Sequence, residues 1–405
     1  MFAQKHLLDL ESYTASQILE ILDTAESFRK VLDRPIPKVP VLRAKTITNL
    51  FFEPSTRTRI SFELAEKRLS ADVVNFSASG SSVAKGETLR DTAENILAMK
   101  VDMIVMRHPD SGAARYLSER VPCSVINAGD GMHEHPTQGL LDMMTMRQKL
   151  GTLEGKKVTI VGDIAHSRVA RSNVWGLTKC GAEVTVCGPP PMMPLDVESL
   201  GCKIEYDLTK AIEDADAVNV LRIQLERQEN QIFPGNREYA RAYRLDDRML
   251  ARTKPGCIIM HPGPMNRDVE ISSAVADGDR QVILEQVTNG VAVRMAVLYL
   301  LSGGVRESLG QDLSRRTTTE ARTAMEAQDH HTLIVTGARL IDPARKLDGI
   351  GYLVARDGEI VACELGELPA DFAPIEGAEQ RSGQGLVLVP GLFDLRAHLR
   401  EPGYE

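Results

Sequence analysis

Apolar side chains recur at helical spacing over residues 5–31, with Leu19, Leu22, Ala25 and Phe28 on one face. Beyond them the pattern changes to short apolar runs that alternate with helical stretches. Ile47–Phe52, Asp72–Phe76, Met103–Met106 and Ser124–Asn127 are predicted strands, and Thr56–Leu69, Glu87–Met99 and Thr137–Leu150 are predicted helices. Such alternation lays the strands side by side in a parallel sheet covered on both faces. The pattern restarts after Gly151–Lys156. Strands follow at Lys157–Val161, Glu183–Cys187, Ala217–Val220 and Ile258–Met260, with a helix at Ser167–Lys179 and a long amphipathic helix at Leu284–Leu301. Two α/β domains of similar size are expected on either side of the break.

Residues 303–331 are polar and poor in bulky apolar side chains, and read as a linker, partly helical. After it, residues 332–343, 351–363 and 386–395 are short β-rich runs separated by Gly, Pro and Asp, which predict a small β-structure.

Length and composition narrow the function. A chain of 405 residues accommodates two to three domains, and 43% hydrophobic with 26% charged residues is an ordinary globular mixture. A net charge of -8 opposes general nucleic-acid binding, which needs a basic surface, although local arginines can still build a positive pocket for an anionic substrate. The six cysteines are scattered without a C-x-x-C pair and read as reduced core thiols. The N-terminus has no basic flank followed by an apolar run, and no stretch of about 18 apolar residues occurs. No signal peptide and no membrane span are expected, and the expected location is the cytoplasm.

The sharpest local feature is Phe51-Phe52-Glu53-Pro54-Ser55-Thr56-Arg57-Thr58-Arg59, which leaves a strand and opens a helix. Unpaired backbone N–H groups and the helix dipole favour an anion there. Ser55, Thr56 and Thr58 add hydroxyl donors, and the forked guanidinium of Arg57 suits phosphate oxygens. A plain Ser/Thr cap with solvated arginines would leave the same pattern. Met106-Arg107-His108-Pro109 lies at the end of another strand, where parallel sheets form ligand crevices. His135-Pro136-Thr137-Gln138 follows the next strand, and His135 beside a helix start can donate to a carbonyl oxygen as a neutral imidazole. His133 lacks that Pro-Thr-Gln context. The loop Gly162-Asp163-Ile164 lacks the glycine-rich nicotinamide fingerprint.

S-T-R-T-R, then M-R-H-P, then H-P-T-Q, in this order over roughly residues 5–305, resembles the carbamoyltransferase family, aspartate and ornithine enzymes together. The resemblance implies two parallel-sheet α/β domains of the carbamoyltransferase fold. Residues 1–150 would bind carbamoyl phosphate, completed by the helix over 284–305, and residues 151–283 would bind aspartate. It implies catalytic roles for Arg57, Thr58, Arg107 and His135, with Thr58, Arg107 and His135 stabilising the oxyanion. Ser55, Thr56, Arg57, Thr58, Arg107, His135, Gln138, Pro262 and Gly263 would hold carbamoyl phosphate, with Gln138 on the carbamoyl amide. Ser81 and Lys85, in the loop Ser81–Thr88, would reach into a neighbouring subunit's site, so that a homotrimer is required; read without the family, that loop is merely solvated. Gly162–Ala170 and Leu221–Arg227 resemble the acceptor loops of the aspartate branch, implying that Lys85, Arg168, Arg222 and Gln224 bind L-aspartate. Two arginines suit a dicarboxylate and would serve a cationic ornithine poorly. Isolated arginines more often make surface ion pairs. His261-Pro262-Gly263-Pro264 fits the same branch, with Gly263 a departure from the usual H-P-L-P that leaves the backbone carbonyl as the contact. No metal and no cofactor are implied. The competing readings are an ornithine-type carbamoyltransferase and a non-catalytic scaffold of a pyrimidine enzyme complex.

Val389–Gly403 resembles the first metal-binding motif of dihydroorotase, whose Asp-x-His-x-His becomes Asp394-Leu395-Arg396-Ala397-His398 here. Arg396 replaces a metal-ligating histidine, and a cation there repels a metal. The expectation is a linker over 306–331 and a partial dihydroorotase-like β segment over 332–405, without activity of its own. It would serve as an assembly module, in a larger assembly with a dihydroorotase-like chain.

Overall fold

The computed structural model describes residues 2–77, 88–223, 235–304, 332–342, 345, 347–356, 359–369 and 378–388. The chain divides into two compact units, Met1–Gln311 and Asp312–Glu405. The linker expected over 306–331 and the motif Val389–Gly403 lie outside the described residues.

The first unit opens with α1 (Ala15–Leu32), followed by β1 (Thr46–Phe51), α2 (Thr56–Arg68), β2 (Asp72–Ser77), α3 (Leu89–Ala98), β3 (Met103–His108), α4 (Ala113–Ser118), β4 (Ser124–Asp130) and α5 (Pro136–Leu150). The helix expected over 5–31 thus starts ten residues late. Thr14 stops it: its hydroxyl accepts from Gln17 N while the Gln17 side chain accepts from Thr14 N, a capping box. The residues before it run along the sheet instead, with Leu7 N donating to Val125 O and Asn127 N donating to Leu7 O. The four strands form a parallel sheet in the order β2-β1-β3-β4. Leu50, Ile104, Met106 and Val125 turn one face of it into a core with Ile96 and Leu117.

A second parallel sheet, ordered β7-β6-β5-β8-β9, is built from β5 (Lys157–Val161), β6 (Glu183–Cys187), β7 (Lys203–Glu205), β8 (Ala217–Val220) and β9 (Ile258–Met260). Its helices are α6 (Arg168–Lys179), α7 (Leu208–Ala211), α8 (Asn236–Tyr243), α9 (Asp247–Leu250) and α10 (Ser273–Ala276). Sequence periodicity missed α4, β7 and α7–α10, which are too short for a 3.6-residue period to declare itself. Val161, Val218, Val220 and Ile259 build the core with Tyr239 and Ile271.

The last helix, α11, spans Ile283–Leu301 rather than 284–305; Ser302 caps it and Gly303 follows in the left-handed region. Nor is it simply amphipathic. From Asn289 onward every residue is buried, because the helix packs against α1, α2 and α5 of the first half. Its exposed apolar residues, Leu284 and Val287, lie in its opening turns. No described helix is long and apolar enough to cross a membrane.

Among the described residues the second unit forms a five-stranded sheet. β10 (Thr332–Asp342) pairs antiparallel with β11 (Leu347–Arg356), which pairs antiparallel with β12 (Glu359–Leu365). β10 also pairs in parallel with β13 (Glu379–Ser382) and β14 (Val387–Leu388). This is the β-rich region expected from the sequence. Its core is small: Ile334, Tyr352 and Val354, with Ala362, Leu368 and Ala378 packed against them.

Candidate active site

In each parallel sheet one strand has neighbours that leave in opposite directions. β1 lies between β2 and β3, and β5 lies between β6 and β8. The loops at the carboxyl ends of such strands diverge and open a crevice. A cleft of about 720 Å³ lies there, lined from the first half by Ser55–Thr58, Arg107, His135 and Gln138, and from the second by Arg168, Arg222, Pro262 and Gly263. The structure therefore gathers every described residue of the expected site into one space. Ser81, Lys85 and Gln224 lie outside the described residues.

Ser55 occupies the N-cap position of α2, yet its hydroxyl makes no capping hydrogen bond. The simple cap is thus not its use, and the helix start presents hydroxyl and backbone donors to the cleft together. Thr58 and Arg107 are buried. Arg107 Nη1 donates to Ala128 O at 3.1 Å, and its Nη2 meets Glu53 Oε1 at 3.1 Å. Arg168, at the first position of α6, directs Nη2 to the same carboxylate at 2.8 and 2.9 Å. Glu53 therefore ties the phosphate-side arginine to the acceptor-side arginine. Sequence reading quoted Glu53 only as part of a motif; a lone acid between an aromatic pair and a proline gave no sign of the arginine it would meet 115 positions further on.

Both guanidinium groups lie against Gly129, whose φ is +116° and whose absent Cβ would stand 3.1 Å from each. The glycine is required twice, by its backbone angle and by the approach of the arginines. Gly263 has the same double reason: its φ is +62°, and a Cβ would come within 2.9 Å of Arg57 Nη1. Glycine at this position thus leaves room for Arg57.

The cleft is strongly cationic. Burial lowers the pKa of Arg57, and nearby Arg222 lowers it further. Arg294, on α11, was not foreseen. It is buried, lines the cleft, and is pushed down to about 9 by burial and then by Arg107, against the opposing pull of Asp142. Its Nη1 donates to Gly290 O at 2.8 Å and its guanidinium lies over the Phe62 ring at 5.0 Å. Crowded cations of this kind favour a multiply charged anion.

His135 is the N-cap residue of α5, with Pro136 at the first helical position. Its backbone N donates to Ser172 Oγ at 2.9 Å, and Ser172 Oγ donates to Glu134 Oε2 at 2.7 Å. That chain fixes the backbone of His135 at the cleft wall. His133 instead faces Asp130 at 3.2 Å, away from this set. Gln138, one turn into α5, donates Nε2 to Asp142 Oδ1 at 2.9 Å. The His261–Pro264 loop is held from within and without: Gly263 N donates to His261 Nδ1 at 2.8 Å, and His261 N donates to Gln286 Oε1 at 3.0 Å. Among the described residues no group of three or more His, Cys, Asp and Glu side chains gathers as metal ligands do.

Comparison with known proteins agrees with this geometry. Residues 5–148 match the family described as aspartate/ornithine carbamoyltransferase, carbamoyl-P binding domain, and residues 154–301 match its Asp/Orn binding domain. The aspartate carbamoyltransferase catalytic subunit of Geobacter sulfurreducens is 61% identical over 304 residues, covering 75% of this chain and 98% of that protein. The corresponding subunit of Gemmatimonas aurantiaca is 60% identical over 303 residues, covering 75% and 95%. Among solved structures, ornithine carbamoyltransferase from Pyrococcus furiosus superposes with a TM-score of 0.68 at 32% identity, covering 75% of this chain and 99% of that one. Aspartate transcarbamoylase from Trypanosoma cruzi, in complex with carbamoyl phosphate, superposes with a TM-score of 0.66 at 30% identity, covering 73% and 95%. With its motifs, its paired sheets and its cleft in agreement, the chain belongs to the aspartate/ornithine carbamoyltransferase family.

Proposed function

We propose that this protein is an aspartate carbamoyltransferase, which moves the carbamoyl group of carbamoyl phosphate to L-aspartate, giving N-carbamoyl-L-aspartate and phosphate early in de novo pyrimidine synthesis. One observation carries the reading: a single cleft joins the anion-ready start of α2, with Arg57 and Arg107, to the two acceptor-side arginines Arg168 and Arg222. The relatives at 60–61% identity are named as aspartate enzymes.

Ser55, Thr56, Arg57, Thr58 and Arg107 hold the phosphate, and Pro262 and Gly263 contact the carbamoyl end through backbone carbonyls. Arg168 and Arg222 each take one carboxylate of aspartate, with Gln224 beside them; paired guanidinium forks fix a dicarboxylate in one orientation. The amine nitrogen then attacks the carbamoyl carbon. Negative charge collects on the carbonyl oxygen, facing Thr58, Arg107 and His135. The bond from carbon to the phosphate oxygen breaks, and the departing phosphate takes the amine proton. Placing two reactants side by side contributes about 7–11 kcal/mol. Glu53 holds Arg107 and Arg168, and the incoming anions compete with it for both.

Ser81 and Lys85 complete the phosphate site of a neighbouring subunit, Lys85 also reaching aspartate, in a cytoplasmic homotrimer. The apolar side chains Ile60 and Leu64, one helical turn apart on α2, and Val74, on the edge strand β2, are exposed and suit such an interface. Residues 332–405 act as an assembly module towards a dihydroorotase-like chain, a reading supported by their β-rich unit and the Val389–Gly403 motif.

Carbamoyl transfer to L-aspartate and L-ornithine, measured in parallel with a chelator present, tests the activity. Chelator-insensitive N-carbamoylaspartate is expected; product from ornithine instead would overturn the assignment. A mass determination in solution tests the trimer.

A further inference from the structure

Asp142 lies on α5, one turn beyond Gln138, and is completely buried. Four side-chain amides converge on its carboxylate. Oδ1 accepts from Gln138 Nε2 at 2.9 Å and Gln286 Nε2 at 2.8 Å. Oδ2 accepts from Asn173 Nδ2 at 2.7 Å and Asn219 Nδ2 at 3.2 Å. These donors come from α5, α11, α6 and β8, so both α/β halves meet at this group. An ionised carboxylate only accepts and has about four acceptor positions. Here each position is filled by an N–H.

An amide held through its nitrogen must turn its oxygen the other way. The result is visible at Gln286, whose Oε1 accepts from the backbone N of His261 and so steadies the loop carrying Pro262 and Gly263. Gln138 lies at the cleft wall, and its nitrogen is likewise committed to Asp142. Its oxygen is therefore the atom left for a ligand. Without an acceptor at position 142, the Gln138 side chain would lose the reason to choose this orientation over its flipped alternative.

We infer that Asp142 is a positioning residue: by holding the nitrogen of Gln138 it makes the cleft present a hydrogen-bond acceptor, so that the site selects a ligand bringing an N–H at that point. The inference rests on the carbamoyl-transfer reading and deepens it. Carbamoyl phosphate carries an NH₂ group where acetyl phosphate, of nearly the same size and charge, carries a methyl. The methyl cannot satisfy the Gln138 oxygen, and sites built to hydrogen-bond a ligand group discriminate strongly against analogues that lack it.

The test is equilibrium binding of carbamoyl phosphate, acetyl phosphate and inorganic phosphate to the full chain, for wild type, Asp142→Leu, Asp142→Asn, Gln138→Met and the double variant of Asp142→Leu and Gln138→Met. Wild type should prefer carbamoyl phosphate over acetyl phosphate by roughly 10–100-fold. Asp142→Leu, which has no acceptor, should bring that ratio below about threefold while the affinity for inorganic phosphate stays within about twofold, a split that mere loosening of the core would not produce. Asp142→Asn keeps an oxygen that can accept from Gln138 and Gln286 and should retain the preference. Gln138→Met leaves Asp142 its other partners and should lose the ratio as well. Adding Asp142→Leu to Gln138→Met should then change the ratio no further, because both act through one amide. Retention of the preference in Asp142→Leu or Gln138→Met overturns the inference, as does an equal loss for all three ligands. If Asp142→Leu does not fold, Asp142→Val takes its place with the same expectation. A wild-type chain that binds carbamoyl phosphate no better than inorganic phosphate would instead sink the carbamoyl-transfer reading itself.

Discussion

The two units of this chain use β-structure in opposite ways. In the first, parallel strands leave β1 and β5 in both directions, and the divergence of the following loops opens a cleft at the strand ends. In the second, β10, β11 and β12 run antiparallel and follow one another in the sheet. Consecutive antiparallel strands need only short connections, which do not diverge as the loops of a parallel sheet do. The cores differ as well. The second unit encloses Ile334, Tyr352 and Val354 but exposes Ile350, Ile360, Val361 and Leu365. The comparison teaches that site-forming capacity follows connection topology, not the amount of β-structure.

The sharpest way to break that comparison is at His135, where the largest effect is expected. Replacing it with alanine removes the donor proposed for the developing oxyanion and should lower turnover on the order of 100–1000-fold, read as kcat at saturating substrates. An exposed residue of the second unit, Ile360→Ala for instance, should leave kcat unchanged. Equal losses from both would show that chemistry depends on the small sheet.

Next in size is the packing contrast. Leu50→Ala opens a cavity between the first sheet and its helices, where Leu50 is fully buried, and should cost about 2–5 kcal/mol of stability in urea unfolding. Ile334→Ala removes a member of a much smaller cluster. Its loss should appear as an earlier transition of the second unit, with carbamoyl transfer preserved. A single shared transition in both variants would mean that the units fold together.

How much of this was legible in the sequence follows the same physics. The strands Lys157–Val161, Glu183–Cys187, Ala217–Val220 and Ile258–Met260 agree with expectation to the residue, because short apolar runs bounded by turn residues are local signals. The start of α1 was misread because apolar residues before Thr14 serve the sheet, a tertiary use that spacing does not reveal. The buried half of α11 was misread for the same reason. At the site, Ser55–Thr58, Arg107, His135 and Arg168 were legible as motifs. Glu53, Asp142, Arg294 and Gln286 were not, since each acquires its meaning from a partner on another element.

Buried carboxyl groups give a smaller contrast, with a definite sign. Burial raises Glu66 to about 8, Glu134 to about 7 and Asp142 to about 6 in the first unit. Between the ordinary carboxylate range and these values the folded state keeps protons that the unfolded chain has lost. Stability must therefore fall as pH rises through that window. Urea unfolding of the first unit should weaken from pH 5.5 to 8, by roughly 1 kcal/mol per pH unit for each group that is still protonated when folded. Glu66→Gln should flatten the upper part of the slope. In the second unit Asp348 shifts the other way, lowered by its hydrogen bond to Arg339 at the surface, so no such decline is expected there. A stability that rises over this range would contradict the burial of these acids.

The smallest expected effect is also the cleanest separation of the two units. The Geobacter sulfurreducens relative aligns over 98% of its own length to 304 residues of this chain, and α11, the last described element of the first unit, closes against α1, α2 and α5. The unit boundary falls after Gln311. All described residues of the cleft precede it. Deleting residues 312–405 should therefore change kcat/KM for aspartate by less than about twofold, well under the tenfold that corresponds to 1.36 kcal/mol, when rates are compared at equal concentrations of the assembled enzyme. The assembly itself should respond differently. If the second unit is a docking module, its removal should leave the proposed trimer intact in sedimentation while abolishing any larger species. A tenfold loss of kcat/KM in trimers of normal mass would place part of the catalytic apparatus in the small sheet, and the division argued from topology would not stand.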